Sequence, residues 1–291
     1  MNVVPRSLPV IPLLARALRY WRNKAPGRFI KRSYSNAAGT RAYKTYLPAR
    51  YHGQSLPLVV MLHGCKQTPD EFAAGTRMNQ LADELGFIVV YPAQARAANL
   101  SRCWNWFWPR DQRRDEGEPS IIAGITRQVI ARYKVDPRRV YVAGLSAGGA
   151  MAATMGATYP DLYAAVGVHS GLPYASARDM ASALSAMLGR RPGTATPLPS
   201  VPTIVFHGDR DTTVHPRNGE YGGVRAALHS ETGEAGGRAY TRTVHRGPPS
   251  LEHWLVHGAG HAWSGGNPQA AYADAAGPDA TREMLRFFAI S

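Results

Sequence analysis

The sequence predicts an α/β protein with a mostly parallel, doubly wound sheet and an N-terminal antiparallel hairpin. Short apolar runs with the length of buried strands recur along the chain, at residues 56–62, 87–91 and 201–207 among others. Segments with helical patterns separate these runs, so right-handed crossovers should place helices on both faces of the sheet. At 291 residues and 44% hydrophobic content, the chain can bury the core that such a sheet needs.

The hairpin comes first. Residues 31–35 and 40–46 alternate between side chains of opposite character, and a turn at residues 36–39 joins them. This alternation is typical of strands that bury one face, and it predicts two antiparallel strands at the start of the folded body.

The body continues as an alternation of strands and helices. We expect strands at residues 56–62, 87–91, 140–143, 164–169, 201–207 and 251–256, and helices from residue 68 and at 120–133, 147–159, 177–188 and 279–290. Residues 170–200 are too long for a plain connection, so we expect a short cap or rim segment at about 172–200. No linker divides the body, and residues 31–291 are expected to form a single domain.

A sharp strand-to-helix turn organises this body. Residues 140–143 form an apolar strand, and the segment that follows has the pattern G-x-S-x-G, with Gly144, Ser146 and Gly148 in the defining positions. In such a nucleophile elbow the serine is exposed at a strained corner, and a Cβ at either glycine would collide with the neighbouring strand or helix. The alternative is an ordinary turn between a strand and a helix.

Charge is concentrated at the N-terminus. The formal net charge is +14, yet no Asp or Glu precedes Asp70, whereas twelve Lys or Arg do, which leaves 22 basic and 20 acidic residues from Asp70 onwards. The body is therefore nearly neutral, and we expect no nucleic-acid partner.

Residues 1–30 form a basic leader that does not resemble a clean secretory signal. Its apolar run at 8–14 contains two prolines, and arginines follow where small residues should allow cleavage. The spacing of Leu14, Leu18 and Trp21 fits an amphipathic helix making a peripheral surface contact, and a disordered tail is the alternative. No later stretch has the roughly 18 apolar residues of a transmembrane segment.

An acid and a histidine follow later strands in the order that an α/β-hydrolase requires after its serine. Asp209 and Asp211 compete for the acid, and Asp211 is favoured because Asp209 lies within the turn itself. His257 and His261 compete for the base, and His261 is favoured because it follows a flexible Gly-Ala-Gly stretch. Ser146, Asp211 and His261 are thus the predicted triad.

Metal ligation is the other interpretation of two histidines four residues apart. Gly258 and Gly260 between His257 and His261 argue against a helix there, and no Cys or acid completes a ligand set. We therefore expect no metal and no cofactor.

The oxyanion of an acyl-transfer reaction needs two backbone N–H donors. Ala147, directly after the serine, offers the first, and Cys65, in the loop after the strand at 56–62, is the best candidate for the second. His-Gly at a strand end is also a common turn, so this assignment depends on the triad.

Tryptophans supply the most concentrated apolar surface in the chain. Trp104, Trp106 and Trp108 alternate along one loop, and Trp263 follows the predicted base. We expect these four, together with His63 beside the oxyanion loop, to bind substrate; the alternative is that the tryptophans anchor a long loop to the body. The loop also holds Cys103, which with Cys65 could form either two free thiols or a disulfide.

Several segments together resemble the short-chain polyhydroxyalkanoate (polyhydroxybutyrate) depolymerase family of esterases. They are residues 57–65, 102–106, 144–151, 169–171, 207–211 and 260–266, and the resemblance extends from about Lys31 to the C-terminus. It implies an α/β-hydrolase serine esterase whose nucleophile, acid and base fall on Ser146, Asp211 and His261, with Cys65 in the oxyanion loop. It also favours a disulfide between Cys65 and Cys103.

The resemblance implies the type of reaction more specifically than it implies the substrate, because feruloyl and acetylxylan esterases are related to this family. We expect hydrolysis of poly- or oligo(3-hydroxyalkanoates), with a feruloyl or acetylxylan esterase or a broad polyester hydrolase as the alternative. A non-catalytic binding protein would lack a triad residue, and none is missing. The family implies an extracellular or periplasmic location, whereas the leader leaves a cytoplasmic or granule-associated one open.

Overall fold

A ten-stranded sheet runs through the molecule. The computed structural model describes residues 27–190, 199–221 and 226–290. The strands of the sheet in chain order are β1 Arg28–Asn36, β2 Gly39–Leu47, β3 Leu56–Leu62, β4 Ile88–Pro92, β5 Val135–Leu145, β6 Ala165–His169, β7 Thr203–Gly208, β8 Ala227–Ala235, β9 Arg238–His245 and β10 Leu251–Val256.

The strand order in space is β1-β2-β4-β3-β5-β6-β7-β10-β9-β8. Neighbours from β4 to β10 are parallel, whereas β1 and β2 at one edge, and β8 and β9 at the other, run antiparallel to their neighbours. This confirms the predicted α/β-hydrolase fold with its N-terminal hairpin.

Helices cover both faces of the sheet. They are α1 Pro69–Thr76, α2 Met78–Leu85, α3 Gly117–Arg132, α4 Ala147–Thr158, α5 Met180–Met187 and α6 Ala280–Phe287. The first begins as its sequence predicts: the Thr68 hydroxyl accepts the backbone N–H of Glu71 at 3.3 Å, and the Glu71 carboxylate accepts that of Thr68 at 2.7 Å.

Two apolar cores result, one on each face. Alternate residues of one strand serve opposite faces, so Val142 of β5 joins the core under α3, α4 and α5, whereas Tyr141 and Ala143 join the core under α1, α2 and α6. Strands buried on both faces explain why the central segments read as continuous apolar runs rather than as alternations.

The structure corrects several boundaries. The hairpin begins at Arg28, three residues before the expected start of the domain, and the leader prediction for residues 1–26 lies outside the described residues. The expected cap helix at 177–188 is the shorter α5, and residues 191–198 of the proposed rim are also outside the described part. Two short strands, β11 Trp263–Ser264 and β12 Ala273–Asp274, follow the strand expected to be last.

The hairpin of β8 and β9 has no counterpart in the sequence prediction. β8 is mostly exposed and β9 only partly buried, so neither shows the apolar face by which strands are recognised. One signal was available in the sequence, the pair Gly236-Gly237. Both residues have positive φ, 55° and 76°, as a two-residue hairpin turn requires.

Candidate active site

Ser146 lies at the junction of β5 and α4 with φ 58° and ψ −121°. Residues with a side chain rarely adopt this backbone conformation, and it persists only where the surroundings impose it. A Cβ added at Gly144 would lie 2.3 Å from the Gly148 carbonyl oxygen, and one added at Gly148 would lie 2.0 Å from the Leu62 carbonyl oxygen. Close backbone packing therefore requires both glycines of the elbow.

Asp211 and His261 form a buried hydrogen-bonded pair. Asp211 Oδ2 lies 2.7 Å from His261 Nδ1, and Oδ1 accepts the backbone N–H groups of Thr213 and Val214 at 2.9 and 2.8 Å. The Asp211 side chain is fully buried, and that of His261 is 12% exposed. Burial by itself raises the pKa of the Asp211 carboxyl, but hydrogen bonds from His207 and His261 more than offset it and lower that pKa, so the group is a carboxylate at neutral pH.

The competing acid and base of the sequence analysis form a pair of their own. His257 Nδ1 lies 2.9 Å from Asp209 Oδ2, and Nε2 lies 2.9 Å from the Thr241 hydroxyl. Both side chains are more than a third exposed, 38% for His257 and 34% for Asp209. Because His257 uses both ring nitrogens, it offers none to a serine hydroxyl.

Sheet topology brings the serine and the buried pair to one edge. Strands β5, β6, β7 and β10 are parallel neighbours, so their carboxyl ends lie side by side. Ser146 follows β5, Asp211 follows β7 and His261 follows β10. The side chains predicted as a triad therefore start from three of four adjacent strand ends.

His169, at the end of the fourth strand, has a role that the sequence analysis missed. Its Nε2 accepts the backbone N–H of Ser264 at 2.9 Å, and its ring stacks on Trp263 with centroids 5.0 Å apart. Burial lowers the pKa of His169 to about 3, which keeps the ring neutral and its acceptor nitrogen available. His169 thus anchors the segment just after His261.

The loop after β3 packs against the elbow, since a Cβ added at Gly64 would lie 3.6 Å from Ser146 Cβ. Gly64 N donates to Gln67 Oε1 at 2.9 Å, Lys66 N to the Ser101 carbonyl at 2.7 Å and Gln67 N to the Gly64 carbonyl at 3.3 Å. Within the described residues, Cys65 is the one member of this turn whose N–H has no such acceptor.

The predicted disulfide is confirmed. Cys65 is bonded to Cys103, with an S–S distance of 2.07 Å, across a sequence separation of 38 residues. The bond ties the loop after β3 to the tryptophan-rich loop and so fixes the position of the Cys65 backbone.

His63 and Trp104 do not face substrate, contrary to the sequence prediction. Both are buried, at 1% and 0% exposure. His63 Nδ1 lies 2.7 Å from the Gly64 carbonyl oxygen and Nε2 accepts the Gln94 N–H at 3.1 Å, while Trp104 Nε1 donates to the His63 carbonyl at 3.1 Å. Burial lowers the pKa of His63 to about 4, so the ring is neutral. The two side chains support the loop after β3 from the protein interior.

The buried side chain of Glu118, which the sequence did not single out, supports the same part of the structure. Glu118 accepts the backbone N–H of Asn105 at 2.7 Å and its side-chain amide at 2.9 Å, and it lies 3.2 Å from Arg41. The Gln94 side chain donates to Glu118 and, at 2.9 Å, to the Cys103 carbonyl. The loop that carries the tryptophans is therefore held by a network of polar groups in the protein interior.

Residues 41–224 match the family model described as Esterase PHB depolymerase. The chain belongs to this family. Poly(3-hydroxyalkanoate) depolymerase C of Paucimonas lemoignei is 38% identical over 177 residues, 56% of this chain and 42% of that protein. Feruloyl esterase B of Neurospora crassa is 37% identical over 150 residues, 51% of this chain and 50% of that protein.

This member of the Esterase PHB depolymerase family spans about half the length of the curated relatives it matches. Among solved structures, the acetyl xylan esterase from Aspergillus awamori superposes with a TM-score of 0.72 at 20% identity, over 92% of this chain and 100% of that one. At this identity the likeness shows a shared fold.

An apolar cleft of about 360 Å³ opens at Ser146. Its apolar walls come from the disulfide-linked loop on one side and from α5 and the segment before it on the other. The residues that form them are Trp106, Phe107, Leu172, Met180, Leu184 and Met187. Asn99 and Ser101 add polar groups at the rim.

Trp106 is thus the one predicted substrate-binding tryptophan that lines the described cleft. Trp108 is 39% exposed but lies outside it. Trp263 is 1% exposed, donates to the Thr281 hydroxyl at 3.0 Å and packs edge-on against Phe72, so its predicted contact with substrate is wrong. For Trp104 and Trp263, the alternative of anchoring a loop to the body is the one the structure supports.

Residues 27–190, 199–221 and 226–290 contain neither a helix suited to span a membrane nor a cluster of metal-binding side chains. None of the helices in these ranges combines the length and apolar character that crossing a bilayer demands. The same residues contain no group of three or more His, Cys, Asp or Glu side chains placed to hold a metal ion.

Proposed function

We propose that this chain is a serine esterase that hydrolyses ester bonds of poly- or oligo(3-hydroxyalkanoates) through an acyl-enzyme on Ser146. The observation that carries the proposal is the buried Asp211–His261 pair at the sheet edge where the strained Ser146 turn opens into an apolar cleft. Membership of the Esterase PHB depolymerase family supports the same chemistry.

The reaction begins with proton transfer from Ser146. As Oγ attacks the ester carbonyl carbon, His261 Nε2 takes the hydroxyl proton, and the ionised Asp211 stabilises the imidazolium that forms. Asp211 also fixes the tautomer, because its hydrogen bond to His261 Nδ1 requires the proton there and leaves Nε2 as the acceptor. The imidazolium then protonates the leaving alkoxide, which departs as an alcohol.

The N–H groups of Cys65 and Ala147 are the proposed oxyanion donors. Ala147 is the first residue of α4, so its N–H is one of those without an acceptor inside the helix. The Cys65 N–H belongs to a turn braced by His63, Gln67 and the disulfide. Donors held in this way stabilise the tetrahedral intermediate without reorganising as charge develops. Water then attacks the acyl-enzyme by the same steps, with His261 as the base.

The shape and lining of the cleft favour a chain-like ester with small aliphatic side groups. Its walls are mostly apolar, and Met180 and Leu184 at its outer edge are 61% and 59% exposed, so none of the described residues covers the cleft along α5. Trp106 and Phe107 provide one observation in favour of a second candidate, because a feruloyl ring could stack on them.

The test compares kcat/KM on a 3-hydroxybutyrate trimer and on methyl ferulate, with clearing of amorphous polymer measured alongside. We expect preference for the trimer, and a loss of at least about 10⁴-fold on both esters in the Ser146→Ala variant. A preference for the ferulate ester without clearing would overturn the polyester assignment and leave the triad intact. Substantial turnover by purified Ser146→Ala would overturn the triad itself.

A further inference from the structure

His207 is a buried histidine beside the Asp211 carboxylate, and the reaction as written does not use it. It is the next-to-last residue of β7, and its side chain is fully buried. Its Nε2 lies 2.8 Å from the Val214 carbonyl oxygen and 3.5 Å from Asp211 Oδ2. This is the same carboxylate oxygen that accepts the hydrogen bond from His261.

The surroundings of His207 define its tautomer. A carbonyl oxygen can only accept a hydrogen bond, so the Nε2 that lies 2.8 Å from Val214 carries the proton. The other ring nitrogen, Nδ1, is buried and has no hydrogen-bond partner among the described residues. With no acceptor for a proton at Nδ1 in the described part of the chain, the arrangement fits the tautomer that carries its hydrogen on Nε2.

That N–H acts on the Asp211 turn at two points. Val214 donates its own N–H to Asp211 Oδ1 and accepts from His207 through its carbonyl, so the histidine holds the same turn that orients the carboxylate. The partial positive charge of the Nε2–H also lies near Oδ2, where it stabilises the negative charge of the carboxylate beside the hydrogen bond from His261. Asp211 Oδ2 thus interacts both with His207 and with His261, the proposed base.

We propose that His207 is a positioning residue of the esterase, which holds Asp211 in place and moderates the charge that Asp211 presents to His261. The inference rests on the proposed triad. Without the His207 N–H, the carboxylate would interact more strongly with protonated His261 and favour that inactive form. The pH at which kcat/KM reaches half its maximum on the acidic side would then move upwards.

The titratable groups packed around His207 and Asp211 lie on β6, on β10 and in the segment after β10. His169 lies at the end of β6, His253 lies on β10 and His261 follows β10. A Cβ added at Gly219 would lie 3.2 Å from His207 Nδ1 and 2.8 Å from His253 Nε2, so both nitrogens face the same small space. The His253 nitrogen is likewise buried without a partner in the described part of the chain.

His253 therefore gives a matched control. It is a histidine on the next strand with a buried, unpartnered nitrogen, but its effect on Asp211 would have to pass through His207. We would measure kcat and KM for p-nitrophenyl butyrate between pH 5 and 9 in three variants, His207→Leu, His207→Gln and His253→Leu. Active-site titration with a fluorophosphonate would correct each rate for inactive protein.

For His207→Leu we expect kcat to fall on the order of 10-fold or more, KM to change little, and the acidic midpoint of kcat/KM to rise. His207→Gln places an amide N–H near the position of Nε2 and should restore most of kcat and return the midpoint towards that of the wild type. His253→Leu should lower thermal stability without moving the midpoint. A purely structural role for His207 would reduce the active fraction and leave the midpoint where it is.

The inference would be overturned if the acidic midpoint of kcat/KM did not move in His207→Leu, or if it moved equally in His253→Leu. Neither result would bear on the triad, which the Ser146→Ala variant tests separately. Imidazole ¹⁵N chemical shifts of the wild-type protein provide a measurement that needs no variant to fold. They should show His207 protonated at Nε2 and unprotonated at Nδ1 at pH 7.5. A proton on Nδ1 instead would contradict the hydrogen bond from Nε2 to the Val214 carbonyl, and with it the contact with Asp211.

Discussion

Two acid–histidine pairs lie close together in this chain, and burial separates their chemistry. Asp211 and His261 are 0% and 12% exposed, whereas Asp209 and His257 are 34% and 38% exposed. The outer pair also bonds to the Thr241 hydroxyl of β9 and accepts the Gly258 N–H after β10, so it fastens these strands to the turn after β7. In the buried pair, His261 uses Nδ1 on Asp211, which leaves Nε2 for the proposed proton transfer.

We therefore expect the two aspartates to respond very differently to loss of charge. Asp211→Asn should lower kcat by about 10⁴-fold, because an amide can stabilise the wrong tautomer of His261 and cannot stabilise the imidazolium. The matched variant Asp209→Asn should lower kcat by less than about 10-fold, since His257 remains held by Thr241. Steady-state kinetics on p-nitrophenyl butyrate at pH 8 measures both. The opposite ranking would show that the acid has been misassigned.

At the scale of residues, the sequence placed side chains that follow strands at the right edge of the sheet, but it did not determine which loop side chains are buried. Ser146, Asp211 and His261 each come shortly after a recognisable strand, and strand ends meet at one edge of a parallel sheet. Residues in a loop have no regular backbone repeat that assigns each side chain to one face. The alternation of Trp104, Trp106 and Trp108 therefore did not indicate which ring would be buried.

The supporting roles of three histidines could not be predicted for another reason. His63, His169 and His207 all use ring nitrogens on backbone N–H or carbonyl groups. Every residue has such groups, so no motif marks the partner. Their roles depend on which turn packs against each ring, and only the folded chain determines that.

At the scale of elements, the disulfide joins the loop after β3, which holds the proposed oxyanion donor Cys65, to the tryptophan-rich loop. The bond between Cys65 and Cys103 closes a loop across a separation of 38 residues. Restricting the unfolded chain by a loop of this length should stabilise the fold by about 4 kcal/mol in the chain-entropy account.

We expect Cys65→Ser/Cys103→Ser to lower the free energy of unfolding in urea by roughly that amount, about 4 kcal/mol, and to lower kcat because the Cys65 N–H loses its support. Wild-type protein reduced before unfolding is the control, and it should match the double variant in stability. Thiol titration of unfolded, unreduced wild type should find no reactive thiol. Two reactive thiols, or equal stability of the oxidised protein and the variant, would contradict this account.

Elements buried on both faces were the most predictable part of the fold. β3, β4 and β7 are apolar runs within one or two residues of their observed bounds, because strands in the centre of a parallel sheet must avoid water on both sides. β8 and β9 lie at the edge, where polar side chains are tolerated on either face, and the hydrophobic pattern that reveals a strand is lost.

At the scale of the whole molecule, the sheet determines where polar groups can be buried. The site edge lies between two apolar cores, and its histidines are withdrawn from water as a consequence of the same packing that stabilises the fold. Burial lowers the pKa of His63 to about 4 and that of His169 to about 3. In an unfolded chain both would have a pKa near 6.5.

This difference predicts a loss of stability in mild acid. Between pH 6.5 and about 4, both rings are neutral in the folded protein but take up protons on unfolding, so their contribution to stability is full above pH 6.5 and declines as the pH falls. Burial also lowers the pKa of His253 to about 3, so three protons in all correspond to a slope of up to about 4 kcal/mol per pH unit. Asp211, whose folded pKa is lowered, adds to the loss only below the pKa of an unfolded aspartate, so it does not account for a slope at pH 5 to 6.

Urea unfolding at half-unit steps from pH 7 to 4.5 measures that slope, and it should be reduced by about one proton in His63→Gln and again in His169→Gln. Glutamine is chosen because its amide is uncharged at every pH used and can still form hydrogen bonds. His52, which is exposed, gives the matched control, and His52→Gln should leave the slope as it is in the wild type. If the free energy of unfolding were constant over this range, these rings would not be held neutral by burial, and the account of the two histidines as fixed acceptors behind the active site would fail with it.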